Sequence, residues 1–389
     1  MNSLDLVIIV VALAFAVSGV VQGFVANLAA TVGLFVCGLL AVLVVPRIVS
    51  PDEPSLASSL IALGLVVLAA AGGQIAGTVI GTDLRRTIRS PAGRALDAVG
   101  GGALSVVSVL VVSWALGYAV SGTSVPYLAQ ASRSSSIMGT VDGVMPPAAS
   151  NVLRSFSGVI DANLFPRYLD PFDSEDIVRI GPPDPATLQL PGVQAAAGSV
   201  VKILGDTECG RGVEGSGFVY AAERVMTNAH VVAGVDRPSV VTEDGRRSAT
   251  VVLFDPALDV AVLAVDLDLP ALEFDENGED GQDAAVLGFP GNGPFDAQSA
   301  RIREEIRLRS PDIYDQGEHL RQSYSIRGLV RSGNSGGPLV STEGQVLGVI
   351  FAASVTDDST GYALTAAQVA DSAQAGVRSS AAVDTGECT

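Results

Sequence analysis

The chain has 389 residues, of which 48% are hydrophobic and only 16% are charged. Soluble domains usually carry about 25% charged residues, so this composition argues against a wholly soluble protein. The formal net charge of −18 falls on residues 122–389, because the five arginines and five acidic residues of the first 121 cancel. An acidic polar half repels phosphate backbones, which disfavours nucleic-acid binding.

Uncharged stretches at the start of the chain predict four transmembrane helices. Residues 6–46 carry no formal charge, and neither do residues 54–82 or 98–132. Since one span needs about 20 residues, the first stretch holds two spans, and we place the four at 5–21, 24–46, 56–80 and 99–121. A cleaved signal peptide is the alternative for the first stretch, but residues 1–6 lack the positive residues such a peptide needs.

Arginines predict how this half is oriented. The loop at residues 83–97 contains Arg85, Arg86, Arg89 and Arg94. Positive residues favour the cytoplasmic side, so the N-terminus and everything after residue 121 are expected outside. The sequence therefore predicts a multi-pass protein of the cytoplasmic membrane whose polar half is periplasmic, or extracytoplasmic.

Three glycines recur at every fourth position of the third span: Gly73, Gly77 and Gly81. Small residues on one helix face let another helix approach closely, which predicts a packing seam; a pore or a dimer interface is the alternative. No span carries a charged residue at its middle, so the sequence gives little support to a transporter.

The polar half divides into a connector and a β-rich region. Residues 122–198 are rich in Pro, Ser and Gly and predict a tether. Its backbone is expected to be in an extended conformation at Gly181–Pro191. From residue 199 to 389, short β-rich runs separated by turns predict an all-β barrel or sandwich with a final helix at 366–375. The clearest runs are residues 199–204, 217–220, 250–254, 260–265, 284–289, 346–351 and 362–365.

Three motifs in the β-rich region carry candidate catalytic residues: His230 in Thr227–Val232, Asp259 in Asp255–Leu263 and Ser335 in Gly333–Leu339. A serine hydroxyl needs a base to take its proton, and an imidazole can act as that base. The imidazole needs a carboxylate that holds its tautomer and stabilises its cation. Glycines beside the serine let the N–H groups of Gly333 and Ser335 point at a developing oxyanion.

Each motif alone also has a structural explanation, as a core histidine, an ordinary acid or a glycine-rich turn. Asp255 and Asp266 compete with Asp259, which is favoured because Val260 and Val262 after it alternate as in a buried strand. The order His, Asp, Ser, with spacings of 29 and 76 residues, makes coincidence improbable.

These motifs resemble those of the trypsin/chymotrypsin-like serine proteases, particularly the HtrA/Deg branch, over residues 199–370. The matching segments are Gly215–Val219, Thr227–Val232, Leu258–Leu263 and Gly333–Leu339. Residues 1–121 resemble the CvpA (colicin V production) membrane family. The resemblance implies an N-terminal all-α bundle of four transmembrane helices followed by an all-β double β-barrel of the chymotrypsin type. It also implies that His230 and Asp259 come from the first barrel and Ser335 from the second.

The two parts together resemble the actinobacterial acid-resistance membrane serine proteases, which implies envelope proteolysis under acid or oxidative stress. HtrA enzymes usually carry a PDZ domain, and this sequence ends soon after its last predicted strand. We therefore expect a monomeric protease domain without a PDZ-mediated trimer.

Substrate preference is predicted from residues that this family places in the primary specificity pocket. Leu329, six residues before Ser335, stands at its floor, where an acidic residue would select Arg or Lys. One wall would be lined by Ile350, Phe351, Ala352 and Ala353. The sequence favours small or apolar side chains at the cleavage position, unless pocket shape elsewhere decides.

Three cysteines occur, and two of them, Cys209 and Cys388, fall in the half expected outside, where disulfides persist. A bridge between them would close a loop of about 180 residues, worth about 5 kcal/mol in the chain-entropy model, and would make redox control of activity conceivable. Cys37 lies in the second span as a small apolar residue. With two histidines, of which His319 is placed in a charged loop, no metal site and no cofactor are expected.

The leading hypothesis is a membrane-tethered serine endopeptidase that acts on proteins or peptides of the cell envelope and is anchored in the lipid bilayer. A catalytically silent membrane scaffold that keeps the protease fold for binding is the second hypothesis. A transporter regulated by its polar half is the third.

Overall fold

The computed structural model describes residues 2–48, 56–120, 126–146, 149, 175–207, 212–242, 245–314, 316–354 and 356–388. Their contacts divide them into two compact units. The first holds the described residues up to 149 together with Glu175, and the second holds residues 176–388.

Four long apolar helices form most of the first unit: α1 (Ser3–Gln22), α2 (Phe24–Ile48), α3 (Leu56–Arg85) and α4 (Pro91–Val120). Each is long and apolar enough to cross a membrane, which confirms the predicted four-helix part of the fold class. The helix α4 begins before its predicted span because Pro91 suits a first helical turn and the Ser90 hydroxyl accepts the Gly93 N–H at 3.1 Å. Two short helices follow, α5 (Pro126–Arg133) and α6 (Ser136–Asp142).

The three glycines of α3 face α2, as the four-residue spacing predicted. A Cβ atom on Gly81 would lie 2.7 Å from the Ala26 Cα, and one on Gly77 would lie 2.8 Å from the Ala30 Cα. At Gly73 it would lie 2.7 Å from the Cys37 Sγ. These distances leave no room for a side chain, so the packing-seam interpretation is confirmed.

An ion pair between the half-buried Arg85 and the buried Asp97 ties together one end of this bundle. The Arg85 Nε donates to the Asp97 carboxylate at 2.7 Å, and the same carboxylate accepts the Val25 N–H at 3.0 Å. Gly23, between α1 and α2, has a φ of +82°, a conformation that favours glycine. The α1–α2 turn and the arginine-rich loop therefore meet at the same end of the bundle, as an even number of crossings between them requires.

The second unit begins with an antiparallel sheet of seven strands in the order β5-β4-β1-β2-β3-β7-β6. Its strands are β1 (Val200–Asp206), β2 (Gly212–Ala221), β3 (Arg224–Thr227), β4 (Ser239–Thr242), β5 (Gly245–Ser248), β6 (Thr250–Asp255) and β7 (Val260–Ala264). Strand β7, between β3 and the edge strand β6, is buried on both faces: Val260 and Val262 join a core shared with the next sheet, whereas Ala261 and Leu263 face the interior of the first. The sheet is a half-barrel whose most buried strand starts directly after Asp259.

The second sheet closes into a barrel in the order β10-β13-β12-β11-β8-β9. Its strands are β8 (Asp283–Gly288), β9 (Asp296–Ser310), β10 (His319–Arg327), β11 (Pro338–Ser341), β12 (Val346–Ala353) and β13 (Thr360–Thr365). Together the two sheets confirm the chymotrypsin-type fold class. The helix predicted at 366–375 is also present, as α8 (Ala366–Arg378), capped by the Thr365 hydroxyl.

Two predictions about local structure are wrong. His319 does not lie in a loop but begins β10, which pairs with β9 along its length. The two strands escaped prediction because buried arginines, Arg303 in β9 and Arg321 in β10, interrupt the apolar alternation. Residues 185–189, expected to be extended, form a 3₁₀-helix, and α7 (Pro191–Ala197) follows it. The Asp184 carboxylate starts this helical segment by accepting the Ala186 N–H at 2.9 Å.

The last part of the predicted connector, residues 176–198, belongs to the second unit. Val193 and Ala196 of α7 are each 2% exposed and join the core shared by the two sheets. The boundaries drawn at 121 and 198 stay predictions.

We expect Gly77→Ala to destabilise the membrane unit by about 1–3 kcal/mol, because its methyl group would overlap the α2 backbone. The control is Gly72→Ala on the same helix, where a Cβ atom meets nothing within 4 Å. Both changes raise helix propensity equally, so any difference reports packing. Unfolding of the full chain in mixed detergent micelles, titrated with SDS, measures it; equal midpoints for the two variants would contradict the seam.

Candidate active site

His230 and Asp259 form a buried pair in the first sheet, where β3 ends and β7 begins. His230 lies in the turn after β3, and its Nδ1 is 2.8 Å from the Asp259 Oδ2. The His230 backbone N–H also donates to Asp259, to Oδ1 at 3.0 Å. Asp259 is 1% and His230 8% exposed, so the ring is held by a carboxylate that water scarcely reaches. This leaves the Nε2 of His230 available to a partner on the other side of the ring.

The two competing acids are used differently. The Asp255 Oδ1 accepts the N–H groups of Ala257 and Leu258, both at 3.0 Å, and Asp266 is exposed. Asp255 therefore shapes the turn that carries Asp259 and does not contact the imidazole.

That turn is strained and is held from several sides. Asp259 has a φ of +63°, in the left-handed region that side chains other than glycine seldom adopt. The Asn228 amide donates to the Asp259 carbonyl at 2.8 Å, and the Arg321 Nη2 reaches across from β10 to the Ala257 carbonyl, also at 2.8 Å. Burial lowers the pKa of the Arg321 guanidinium, while the Asp259 carboxylate nearby raises it. Residues of both sheets thus hold the carboxylate in place.

Ser335 lies in a loop whose four consecutive carbonyls, from Ser332 to Ser335, are all hydrogen-bonded. The Gly291 N–H donates to the Ser332 carbonyl at 2.8 Å, and the Gly337 N–H donates to the Asn334 carbonyl at 2.9 Å. The other two acceptors are held by Ser216 of β2. Its hydroxyl donates to the Gly333 carbonyl at 2.6 Å, and its N–H donates to the Ser335 carbonyl at 2.8 Å.

This anchoring leaves two N–H groups without partners. Within the part of the chain that the structure describes, the backbone N–H groups of Gly333 and Ser335 donate to no protein acceptor. Because a planar peptide aims its N–H opposite to its carbonyl, the bonds to Ser332 and Asn334 also set the direction of these two donors. They are the pair that the sequence predicted for an oxyanion.

The loop brings Ser335 to the segment that carries His230. A Cβ atom on Gly336 would lie 3.0 Å from the backbone nitrogen of Asn228, two residues before the histidine. Among the described residues, no hydrogen bond joins the Ser335 hydroxyl to the imidazole. In enzymes without a bound substrate such bonds are often long and shorten in the complex.

The residues predicted to line a specificity pocket differ in exposure. Leu329 is 41% exposed, whereas Ile350, Phe351 and Ala352 are at most 2% exposed and pack in the barrel core. Ala353 is half-buried. Their role in specificity stays a prediction. Sequence reasoning missed Gly361, where a Cβ atom would lie 2.9 Å from the Val330 Cβ and which therefore lets the chain pass close beside Leu329.

Ser216 and Arg321 were also missed as parts of the site. Ser216 lies inside the matched segment Gly215–Val219, and that match was a signal that could have found it. Its hydrogen bond to Gly333, more than a hundred positions away, could not be predicted from the sequence. Arg321 gave no signal, because only folding brings β10 to the Asp255–Asp259 turn.

The C-terminal segment runs along the first sheet towards the predicted disulfide. The Val383 N–H donates to the Val251 carbonyl at 2.9 Å, and the Gly234 N–H donates to the Thr385 carbonyl at 3.2 Å. A Cβ atom on Gly234 would lie 2.8 Å from the Cys388 Sγ. Cys209 lies outside the described residues, so its pairing with Cys388 stays a prediction.

No cluster of three or more His, Cys, Asp or Glu side chains that could hold a metal ion occurs among the residues described. The groups assembled at this site are suited to proton transfer and hydrogen bonding: a buried carboxylate, an imidazole, a hydroxyl and two free N–H donors.

Comparison with known proteins agrees with both halves of the chain. Residues 215–349 match the family model of the trypsin-like peptidase domain, and residues 4–146 match that of the Colicin V production protein. Serine protease Rv3671c of Mycobacterium tuberculosis is 39% identical over 390 residues, covering 99% of this chain and 98% of that protein. This chain belongs to the same family of serine proteases.

A solved structure of this same relative and one further relative support the protease half. The crystal structure of the M. tuberculosis Rv3671c protease in its active form is 46% identical, with a TM-score of 0.54, and covers 57% of this chain and 98% of that one. A DegP-like protein of Halomonas elongata, a probable periplasmic serine endoprotease, is 38% identical over 141 residues, which are 35% of this chain and 28% of that protein. The chain is thus a serine protease of the HtrA/trypsin-like type with membrane-spanning helices.

We expect Ser216→Ala to destabilise the protease unit by about 1–3 kcal/mol, because it removes the donor to the buried Gly333 carbonyl and the acceptor of the Phe289 N–H. The control is Ser199→Ala, which removes a buried hydroxyl that has no hydrogen-bond partner. Calorimetry of the full chain in detergent, with both changes made in a Ser335→Ala background to prevent self-digestion, measures the difference. A loss of stability in both variants alike would refute the anchoring role.

Proposed function

We propose that the chain is a membrane-anchored endopeptidase that hydrolyses peptide bonds through Ser335, His230 and Asp259. The observation that carries this proposal is the buried contact of 2.8 Å between the His230 Nδ1 and Asp259, together with the unpartnered N–H groups of Gly333 and Ser335. The His230–Asp259 pair supplies a base, and the two N–H groups supply hydrogen-bond donors for negative charge.

The reaction follows from these groups. The Ser335 hydroxyl attacks the carbonyl carbon of the scissile bond while the Nε2 of His230 takes its proton. The cation that forms on the imidazole is stabilised by the Asp259 carboxylate, and the oxyanion by the N–H groups of Gly333 and Ser335. His230 then gives the proton to the leaving amine, and an acyl-enzyme on Ser335 remains. Water, activated by the same imidazole, hydrolyses that ester and restores the enzyme.

We propose small or apolar side chains for the residue before the cleaved bond. Leu329, exposed and without charge, supports this preference, since an acidic side chain there would be needed to pair with Lys or Arg. Proteins and peptides of the cell envelope are the proposed substrates. The resemblance to acid-resistance membrane proteases supports a role in acid or oxidative stress.

The proposed orientation places the protease unit outside the cytoplasmic membrane. It is supported by the arginines of residues 83–97, which favour the cytoplasm, and by the contact of Arg85 with the α1–α2 turn at the same end of the bundle. An extracytoplasmic location also suits a disulfide between Cys209 and Cys388. We include that bridge in the proposal.

Ser335→Ala is expected to abolish both labelling by a fluorophosphonate probe and protein hydrolysis, with a loss on the order of 10⁶ in kcat. Removal of the nucleophile leaves only the contribution of binding and of the oxyanion donors. The control is Ser323→Ala, which alters a buried, unpartnered serine of β10 and is expected to leave labelling unchanged. Persistent hydrolysis in Ser335→Ala would rule out this mechanism, and an unlabelled wild-type chain would favour the catalytically silent scaffold.

Orientation and disulfide can be tested together with a membrane-impermeant maleimide on spheroplasts. The wild-type chain should react only after an impermeant reductant is added, whereas Cys388→Ser should react without reductant, because it frees Cys209. As a control for the opposite side, Ser90→Cys in the arginine-rich loop should react only in inverted vesicles. Labelling of Cys388→Ser in inverted vesicles alone would reverse the proposed orientation, and immediate labelling of the wild type would exclude the bridge.

A further inference from the structure

Lys202 is the single lysine of the chain; the other 22 of its 23 basic residues, counting Lys and Arg, are arginines. It lies on β1, half-buried, directly opposite Ser216 of β2 in the strand register. Side chains of directly opposed residues project from the same face of a sheet. Lys202 and Ser216 therefore reach from the first sheet towards the same part of the second.

The ammonium group of Lys202 contacts the turn at residues 289–293, which follows β8. Its Nζ donates to the Asn292 backbone carbonyl at 2.8 Å and to the Asn292 side-chain oxygen at 3.2 Å. It also lies 5.4 Å from the centre of the Phe289 ring, within the range of a cation–π interaction. One charged group thus holds both the start and the middle of this turn.

The turn has a conformation that needs such support. Gly291 and Asn292 have φ values of +58° and +54°, so two consecutive residues are left-handed. For a residue with a side chain this conformation costs on the order of 1 kcal/mol and persists only where neighbouring contacts impose it. Asn292 is the residue that carries this cost, and it is the one that Lys202 binds.

The same turn supports the peptide that supplies the first oxyanion donor. The Gly291 N–H holds the Ser332 carbonyl at 2.8 Å, and the N–H at the other end of that peptide belongs to Gly333. Gly333 itself packs against the turn, since a Cβ atom there would lie 2.6 Å from the Phe289 carbonyl oxygen and 2.9 Å from the Gly291 nitrogen. If the turn relaxed, the Ser332–Gly333 peptide would lose its hydrogen bond and could rotate its N–H away.

We infer that Lys202 is a positioning residue for the oxyanion hole: by binding Asn292 it holds the Gly291 N–H on the Ser332 carbonyl and so aims the Gly333 N–H. The inference rests on the proposed function, because it concerns the same site. A lysine suits this task, since its compact ammonium has three rotatable donors that can reach two oxygens and a ring together. Glu214 is the competing partner, but no ion pair joins its carboxylate to Lys202 in the described residues.

The first test compares Lys202→Met with Arg246→Met, a matched loss of one positive charge at an exposed position of β5. Loss of one oxyanion donor costs about 10²–10³ in kcat, so a loosened donor should cost less, about 10-fold. For Lys202→Met we expect this loss both in kcat on a peptide substrate and in the rate of fluorophosphonate labelling, with KM within about 3-fold. Lys202→Arg, which keeps charge and donors, should restore most of both rates.

A second comparison uses the strain of the turn. Asn292→Gly removes the left-handed penalty of the turn but keeps the main-chain carbonyl that Lys202 binds. Combined with Lys202→Met it should recover part of the lost rate, because the turn then needs less support. A merely structural lysine would instead lower the unfolding temperature without changing the labelling rate.

Chemical modification tests the same claim on the folded full chain in detergent, should Lys202→Met fail to fold. Acetylation, which removes the charge of the single lysine, should reduce labelling by about the same 10-fold, whereas amidination, which keeps the charge, should not. The N-terminal amine reacts in both treatments, so its modification does not affect the comparison between them. Wild-type labelling rates in Lys202→Met or in the acetylated chain would overturn the inference and leave the proposed function standing. A wild-type chain that is never labelled would overturn the proposed function, and the inference with it.

Discussion

The protease unit depends on hydrogen bonds that cross from one sheet to the other. The loop with Ser335 belongs to the second barrel, yet two of its four anchored carbonyls are held by Ser216 of the first sheet. In the other direction, Arg321 of the second barrel holds the turn that carries Asp259. Each sheet therefore orders the other's part of the candidate site, and neither sheet alone would bring the Ser335 loop beside the His230–Asp259 pair.

This reciprocity explains why so much of the site is buried backbone. A carbonyl removed from water needs a donor, and the loop from Ser332 to Ser335 satisfies each of its carbonyls within the protein. The N–H groups left over, at Gly333 and Ser335, are then aimed before a substrate binds, as the proposed role towards an oxyanion requires. Two of the left-handed residues that carry side chains, Asp259 and Asn292, lie within two residues of a contact from the opposite sheet.

In the membrane unit, too, contacts between distant elements hold the structure together, but here they are made by glycines and by one partly buried ion pair. Glycines let α3 approach the backbone of α2 so closely that no side chain fits between them. The charged pair of Arg85 with Asp97, at one end of the bundle, is satisfied by backbone groups of the α1–α2 turn. Apolar surface remains on the outside of the helices, as a bilayer requires.

Composition and pattern by themselves determined the broad features of this protein. Uncharged stretches predicted the four helices, because a bilayer accepts few charges. Alternation of apolar and polar residues predicted strands such as β6 and β7. Glycine, histidine and serine motifs marked the candidate site residues. Tertiary structure alone decided the rest. The strands β9 and β10 were hidden because the buried Arg303 and Arg321 interrupt their apolar alternation, and Pro185–Gln189 is helical because Asp184 caps it. Ser216, Arg321 and Lys202 act on residues far away in sequence, and such contacts have no periodicity or motif, since they exist only once two sheets have packed together.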